Sequence, residues 1–450
     1  MYYGKRKKIV AVVLGAALLI AGLAMPKAKT VKAGGNKTFT VLSINVAGLP
    51  ALLSSSNPSV YTGQMSAKLN NYDIVNTQED FAYHNDLVSE LTLPYRTDFS
   101  GNVPFGDGMD TFSRFPIYED VRAKWNDAHG FITDGADEMT PKGILFTSIE
   151  IEPGYIVDVY NIHTDADCDD ASLAARRSNM NQLAAMINTR SQGHAVIVAG
   201  DTNSRYTREG DNFETAVLDA CGLTDTWIEL VRHGDVPEDG DAIMDHDNPN
   251  SAYNEVVDKI WYRSGRNVEL QAVEYNLLVT EFTDADGNLL SDHYPITATF
   301  AYEINETVKT SDTFGGGGGT YFTFLEEMDG QLPRSISIRT GNRVDSVTFN
   351  YPHGSARVGG NGGSEKIFVL NDGEYLTSVT LCKAKKSLFG TYRISYISFT
   401  TNFGRTVSGG TWSENNSYTY TAPEGYAIAG LQGFAGDEID RLGCIYLLVE

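Results

Sequence analysis

The run Ala195-Val196-Ile197-Val198-Ala199-Gly200-Asp201-Thr202-Asn203 decides how this chain is read. Five small or β-branched apolar residues make a short strand of the kind buried inside a sheet. Gly200 lets the backbone turn tightly at its end, so that Asp201 and Asn203 project to one side. A carboxylate there can orient or deprotonate water, and the amide can hold that water or a phosphate oxygen.

Working outward, similar polar islands recur where apolar strands stop or begin. They are Asn76-Thr77-Gln78-Glu79-Asp80, Tyr160-Asn161-Ile162-His163-Thr164-Asp165 and Ser291-Asp292-His293-Tyr294-Pro295, with Asn45 closing the strand-like run 38–45. Together they offer carboxylates, amides and two histidines, the oxygen-rich kit of a hard divalent cation beside a general base. A histidine base needs a carboxylate on its far nitrogen. Neighbours on a strand point opposite ways, so the partner of His293 is assigned to Asp258 rather than to Asp292. His163 is a second imidazole, suited to donating to a phosphoryl oxygen. Between the islands, residues 38–302 alternate strand and helix signals, including an amphipathic helix over 171–188 on which Leu173, Met180, Leu183, Ala184 and Ile187 recur.

In this order, Asn45, Gln78-Glu79, Ser113-Arg114-Phe115-Pro116, Asn161-Ile162-His163, Gly200-Asp201-Thr202-Asn203, Asp258-Lys259-Ile260 and Ser291-Asp292-His293 resemble the endonuclease/exonuclease/phosphatase superfamily, the deoxyribonuclease I-like fold. The resemblance covers 38–302 and implies an α+β domain, a four-layer αββα sandwich that binds Mg²⁺ and directs water in line at a phosphoester. Mn²⁺ or Ca²⁺ are the alternative ions. It implies Glu79 as metal ligand with Asn45 beside it and Asp292 as a further metal or water contact. It also implies Asp201 and Asn203 at the nucleophile or phosphate, His293 with Asp258 as the base pair, and His163 on the phosphate. Thr202 stands where the family usually has Phe. Arg205 and Arg208, just past Asn203, are candidates for a phosphate clamp. Which phosphoester is cut depends on the loops, among them 98–110.

Residues 303–311 read as a linker. From 312 to 450 only strand signals appear, punctuated by glycine turns, so an all-β second domain is expected. Taken alone, Gly315-Gly316-Gly317-Gly318-Gly319 reads as a tether. With Val358-Gly359-Gly360-Asn361-Gly362-Gly363, Asp372-Gly373-Glu374-Tyr375, Phe399-Thr400-Thr401-Asn402 and Gly436-Asp437-Glu438-Ile439-Asp440 it resembles a jacalin-like lectin, a β-prism that binds sugars without metal. That resemblance makes Gly316 and its neighbours part of the sugar site. Asp440 would accept from two sugar hydroxyls, and the backbone N–H groups of Asp437 and Glu438 would donate, on the loop that Gly436 opens.

The bulk properties restrict the partners. Lys5-Arg6-Lys7-Lys8 precedes an apolar run over 9–25 and a small-x-small site before Gly34, which reads as a signal peptide over 1–33 and a secreted protein. An uncleaved membrane anchor is the alternative. Cleavage would remove seven basic residues and no acidic one, taking the net charge from −23 to −30. Such a field disfavours a stable nucleic-acid complex, while a bound cation can still invert it locally for a phosphate. Of four cysteines, Cys168 and Cys221 are expected to form a disulfide, and Cys382 and Cys444 to be buried thiols. The expected function is an exported phosphoesterase, with a phosphodiester ranked above a monoester as substrate, brought to glycans by its lectin. A catalytically silent adhesin and a nuclease that scavenges DNA are the competing readings. Nothing in the sequence sets the oligomeric state.

Overall fold

The computed structural model describes residues 37–50, 57–130, 140–242, 248, 251–385, 387 and 390–449, and 37–450 form one compact unit. The expected signal segment lies outside the described residues.

The N-terminal part is built on two six-stranded sheets. The first runs Val268–Leu277, Ile296–Ile304, Lys37–Asn45, Ile74–Gln78, Asp110–Ser113, Tyr95–Arg96. The second runs Ile117–Lys124, Gly143–Glu152, Tyr155–His163, Ala195–Asp201, Asp258–Arg263, Thr224–Asp225. Their inner faces share one core, in which Phe39, Val41, Ile74, Val157, Val159 and Ile197 are buried. The helix Pro58–Leu69 covers the outside of the first sheet through Met65 and Leu69. The helix Asp170–Arg190 covers the second through Met180, Leu183, Ala184 and Ile187. The result is the expected αββα sandwich. Asp169 caps the longer helix by accepting from the N–H groups of Ala171 and Ser172.

The strand Ala195–Asp201 is buried at every position, as its unbroken apolar run predicts. It pairs in parallel with Tyr155–His163 and antiparallel with Asp258–Arg263. That register sets His163 opposite Asp201 and Asp258 opposite Asp201, so three polar residues stand abreast at one rim. A Cβ on Gly200 would lie 2.1 Å from the carbonyl oxygen of Ile162, so only glycine fits between these strands.

Among the described residues of the C-terminal part, the regular structure is strand except for one turn of helix at Leu325–Met328 and a 3₁₀ turn at Glu414–Asn416. One face is a four-stranded sheet of Gly354–Gly359, Val344–Tyr351, Ser335–Thr340 and Ser364–Val369. A larger branched sheet supplies the other two faces, whose strands pair with each other at Leu376 and Ile428. Three faces around one apolar core make a prism. The segment read as a linker contains a strand, Val308–Thr310, paired to the last strand Ile439–Leu448. The prism therefore begins inside that segment and is closed by both ends of its own chain. The two parts also meet through Glu119, whose carboxylate takes Arg190 at 2.7 Å and Arg441 at 3.2 Å, and through His194 and Tyr321 at 3.1 Å.

The cysteines correct one expectation. Cys168 is exposed and Cys221 is buried, its thiol directed at the carbonyl of Ala184 at 3.7 Å, and both are free. Cys168 lies before the start of the long helix and Ala184 well along it, roughly 20 Å further at 1.5 Å per residue. That separation exceeds the span of a disulfide. Cys382 and Cys444 are buried thiols.

Candidate active site

The rims of the two sheets bring together most of the residues singled out above. Asn45 ends a central strand of the first sheet, opposite Gln78, and Glu79 follows at once with φ 56°. The Asn45 amide donates to Glu79 Oε1 at 3.0 Å and to Asp201 Oδ2 at 3.2 Å, joining the two sheets across their shared edge. Its own oxygen accepts from the N–H of Ala47. Asn45 therefore presents N–H rather than oxygen to the site. It links Glu79 to Asp201 at the rim.

Around Asp201 the imidazoles close in. His163 Nε2 lies 3.3 Å from Asp201 Oδ2 and His293 Nε2 lies 3.7 Å from it. His293 Nδ1 meets Asp258 Oδ2 at 2.9 Å, so the predicted His293–Asp258 pair is formed. Ser291 Oγ donates to the carbonyl of Asn45 and accepts from the N–H of His293, pinning that loop to the first sheet. Asn203 takes φ 46°, its N–H donates to Asp201 Oδ1, and its side-chain amide donates to the carbonyl of Thr164. Backbone held in the left-handed region by non-glycine residues, at both Glu79 and Asn203, is concentrated at this rim.

Electrostatics separate the roles. Burial works against a charged His293, yet Asp258 and Asp201 overcome it and hold the ring well above the ordinary histidine range. Burial and the Lys142 ammonium keep His163 neutral, well below that range. Burial also raises Asp201, but His293, His163 and Lys142 together hold it below the usual carboxylate value. Burial pushes Asp258 up against the pull of His293. Glu79 is raised, chiefly by burial, with Lys142 opposing. The arrangement is a neutral imidazole and a charged one on either side of a single carboxylate.

Asp292 is exposed, and its charge acts on both Glu79 and His293. Lys142 was not singled out from the sequence. It is buried, its Nζ is 3.4 Å from the carbonyl of Thr164, and its charge reaches Glu79, His163 and Asp201. A lysine between Pro141 and Gly143 carries no motif, and only the fold shows its destination. Arg208 departs from its expected role as a phosphate clamp. Its guanidinium donates to the carbonyl of Asn203 at 2.6 Å and pairs with Asp211 at 3.3 Å, so it holds the turn. Arg205 is half-buried, and its N–H is held by Asp211.

The second site is closed down. Gly316 N–H donates to the carbonyl of Asp440, and a Cβ on Gly318 or Gly319 would fall 2.4 or 2.6 Å from the Asp440 carboxylate. The glycine run is thus folded against Asp440 instead of forming a tether. Arg393 sits 2.7 Å from Asp440 Oδ1, and Asp440 is only 2% exposed. Gly436 and Asp437 are exposed, and Glu438 is paired with Arg343 at 2.6 Å. A sugar hydroxyl accepted by Asp440 would share that carboxylate with the Arg393 guanidinium.

The model of the Endonuclease/Exonuclease/phosphatase family 2 matches residues 51–299, and that of the Jacalin-like lectin domain matches 311–445. Sphingomyelinases of Mycobacterium tuberculosis and Mycobacterium bovis are each 35% identical over 276 residues, covering 59% of this chain and 53% of theirs. The chain spans about half the length of these curated relatives. Among solved structures, beta toxin from Staphylococcus aureus aligns over 58% of this chain and 99% of its own, at 20% identity and TM-score 0.40. Malaysian banana lectin aligns over 31% of this chain and 98% of its own, at 27% identity and TM-score 0.27. With the first family model matching more than half of its length, the chain belongs to the endonuclease/exonuclease/phosphatase family and carries a jacalin-like lectin domain after it.

Proposed function

We propose that this protein is a secreted, Mg²⁺-dependent phosphodiesterase that cleaves the phosphodiester of sphingomyelin or a similar phospholipid, and that its lectin domain binds glycans on the same surface. The observation that carries the reading is the Asp201 carboxylate held between His163 and His293, with Asp258 behind His293 and the Asn45 amide linking Asp201 to Glu79.

The residues fit a hard cation. Glu79 is pushed up by burial, and a bound cation would stabilise its charged form. Glu79 and Asp201 would hold the ion, with Asp292 near enough to contribute charge. When bound, Mg²⁺ neutralises charge that develops on the phosphoryl oxygens. The protein's own groups do the rest. His293, once deprotonated, takes a proton from attacking water, and Asp258 orients its ring and stabilises the imidazolium formed. Neutral His163 donates a hydrogen bond to a phosphoryl oxygen, and Asn203 holds water or phosphate by its side-chain oxygen.

Sphingomyelin is favoured as substrate by the 35% identity to mycobacterial sphingomyelinases. A lipid surface also suits the loop beside Glu79. That loop is tied to the site where the Asp80 N–H donates to the carbonyl of Gly108, and it presents Phe105, 87% exposed, next to Pro104. Export rests on the basic and apolar run over 1–33. Among the described residues no helix is long and apolar enough to cross a membrane.

The test is hydrolysis of sphingomyelin vesicles, plasmid DNA and bis-p-nitrophenyl phosphate by the purified chain, with Mg²⁺ and with EDTA. Release of phosphorylcholine that EDTA abolishes is expected. Cleavage of DNA alone would replace this reading with a nuclease, and no cleavage of any phosphoester would leave an adhesin.

A further inference from the structure

A second group of metal-competent side chains lies behind Glu79, and nothing in the catalytic set uses it. Asp80, the residue after Glu79, is 1% exposed, as is Asp110 on the neighbouring strand, and His84 stands beside both. One ligand atom from each lies within 4.8 Å of the other two. His84 Nδ1 is 2.7 Å from Asp80 Oδ2 and 3.5 Å from Asp110 Oδ2. These spacings suit three ligands on one ion at about 2.1 Å each. The His84 ring is fixed by stacking on Phe99, with centroids 4.2 Å apart and planes at 17°.

Two independent features point into the gap between these groups. Asp80 Oδ1 and Asp110 Oδ2 are buried and accept from no N–H or O–H donor among the described residues, and the two carboxyls lie within hydrogen-bonding reach of each other. The other Asp110 oxygen accepts from Thr97 at 3.2 Å and Arg122 at 3.1 Å, so the carboxyl is turned with its free oxygen toward Asp80 and His84. The charges do not balance either. Arg122 pairs with both Asp107 and Asp110, so with Asp80 three carboxylates share one guanidinium. Two facing buried carboxylates without a cation or a shared proton would be costly.

We propose that Asp80, His84 and Asp110 form a second cation site, structural rather than catalytic, that takes a first-row transition ion such as Mn²⁺ or Zn²⁺. An imidazole beside two carboxylates suits these ions better than Mg²⁺, which takes oxygen ligands. The ion would tie the turn carrying Glu79 to the strand Asp110–Ser113. Glu79 would face the catalytic rim and Asp80 this site, one residue apart on a backbone already set at φ 56°.

The experiment counts ions. The full chain, stripped with chelator, is dialysed against Mn²⁺, and bound metal is measured for wild type, Glu79→Gln, His84→Ala and the double variant. Two ions are expected in wild type, one in each single variant and none in the double. In the Glu79→Gln background, His84→Ala should also weaken Mn²⁺ at least tenfold and remove the rise in melting temperature that Mn²⁺ produces. If His84→Ala fails to fold, Asp110→Asn, which keeps the side-chain shape, takes its place with the same expectation. The proposal is overturned if Glu79→Gln binds no Mn²⁺, which would mean that Asp80 and Asp110 share a proton. It is equally overturned if the double variant binds as much as Glu79→Gln alone. Because the count does not depend on turnover, it stands apart from the phosphodiesterase reading.

Discussion

Two buried aspartates, Asp201 and Asp440, sit at the centres of the two halves of this molecule and are treated in opposite ways. Asp201 is bracketed by groups that can exchange protons or hold a cation: two imidazoles, a neighbouring carboxylate and an amide that leads to Glu79. Asp440 is bracketed by a permanent cation, Arg393, and by glycines whose missing side chains let the loop lie against it. The first environment is adjustable and suited to chemistry. The second is neutralised and suited to recognition that displaces an existing partner. A buried carboxylate alone does not distinguish these uses; its neighbours do.

The largest effect should come from breaking the first environment. Asp201→Ala and His293→Ala are each expected to lower Mg²⁺-dependent phosphodiester turnover by about 10³-fold, read as kcat at saturating substrate. Next comes Asp258→Asn. Asp258 raises the pKa of His293, so removing its charge lowers that pKa. If His293 must be deprotonated to act, activity is lost as pH falls through its pKa. The acid limb of the rate profile should therefore move to lower pH in the variant, while the plateau falls about tenfold or more because the ring is no longer oriented. An unmoved limb would assign the base to another group.

Phe105→Ala sharpens the substrate side of the comparison. Losing one apolar contact with lipid should cut activity on sphingomyelin vesicles by about tenfold and leave bis-p-nitrophenyl phosphate turnover unchanged. The smallest effect belongs to the second aspartate. Arg393 is partly exposed, and its pair with Asp440 competes with a sugar, so Arg393→Ala should tighten glycan retention by about threefold on an array. A loss of retention would mean that Arg393 itself touches the sugar.

What could be read from the sequence follows from geometry. Strand-end polar residues were legible because a strand's register carries its neighbours with it. Once 195–201 is a central strand, His163 and Asp258 fall beside Asp201. The His293–Asp258 pair was expected from strand alternation, although His293 lies in the loop just before the strand Ile296–Ile304. Strand–helix alternation over 38–302 and an all-β second domain were legible from periodicity and glycine turns, whereas the sandwich and the prism followed from the resemblance of the motifs to known families. What escaped depends on where a long side chain ends. Lys142 reaches the rim from a turn without a motif, and Arg393 reaches Asp440 from a different strand pair. Arg208 spends its charge on Asp211, three residues along, a local pairing that a clamp reading overlooks. The Cys168–Cys221 expectation failed because proximity was inferred without the helix that lies between them.

The most direct test titrates Mg²⁺ into wild type and Glu79→Gln while following phosphorylcholine release from sphingomyelin. If one cation gathers the acidic and imidazole side chains of this rim, wild type binds Mg²⁺ and turns over in step with it, while Glu79→Gln folds normally but does neither. Turnover that persists in EDTA, or that Glu79→Gln leaves intact, would contradict it.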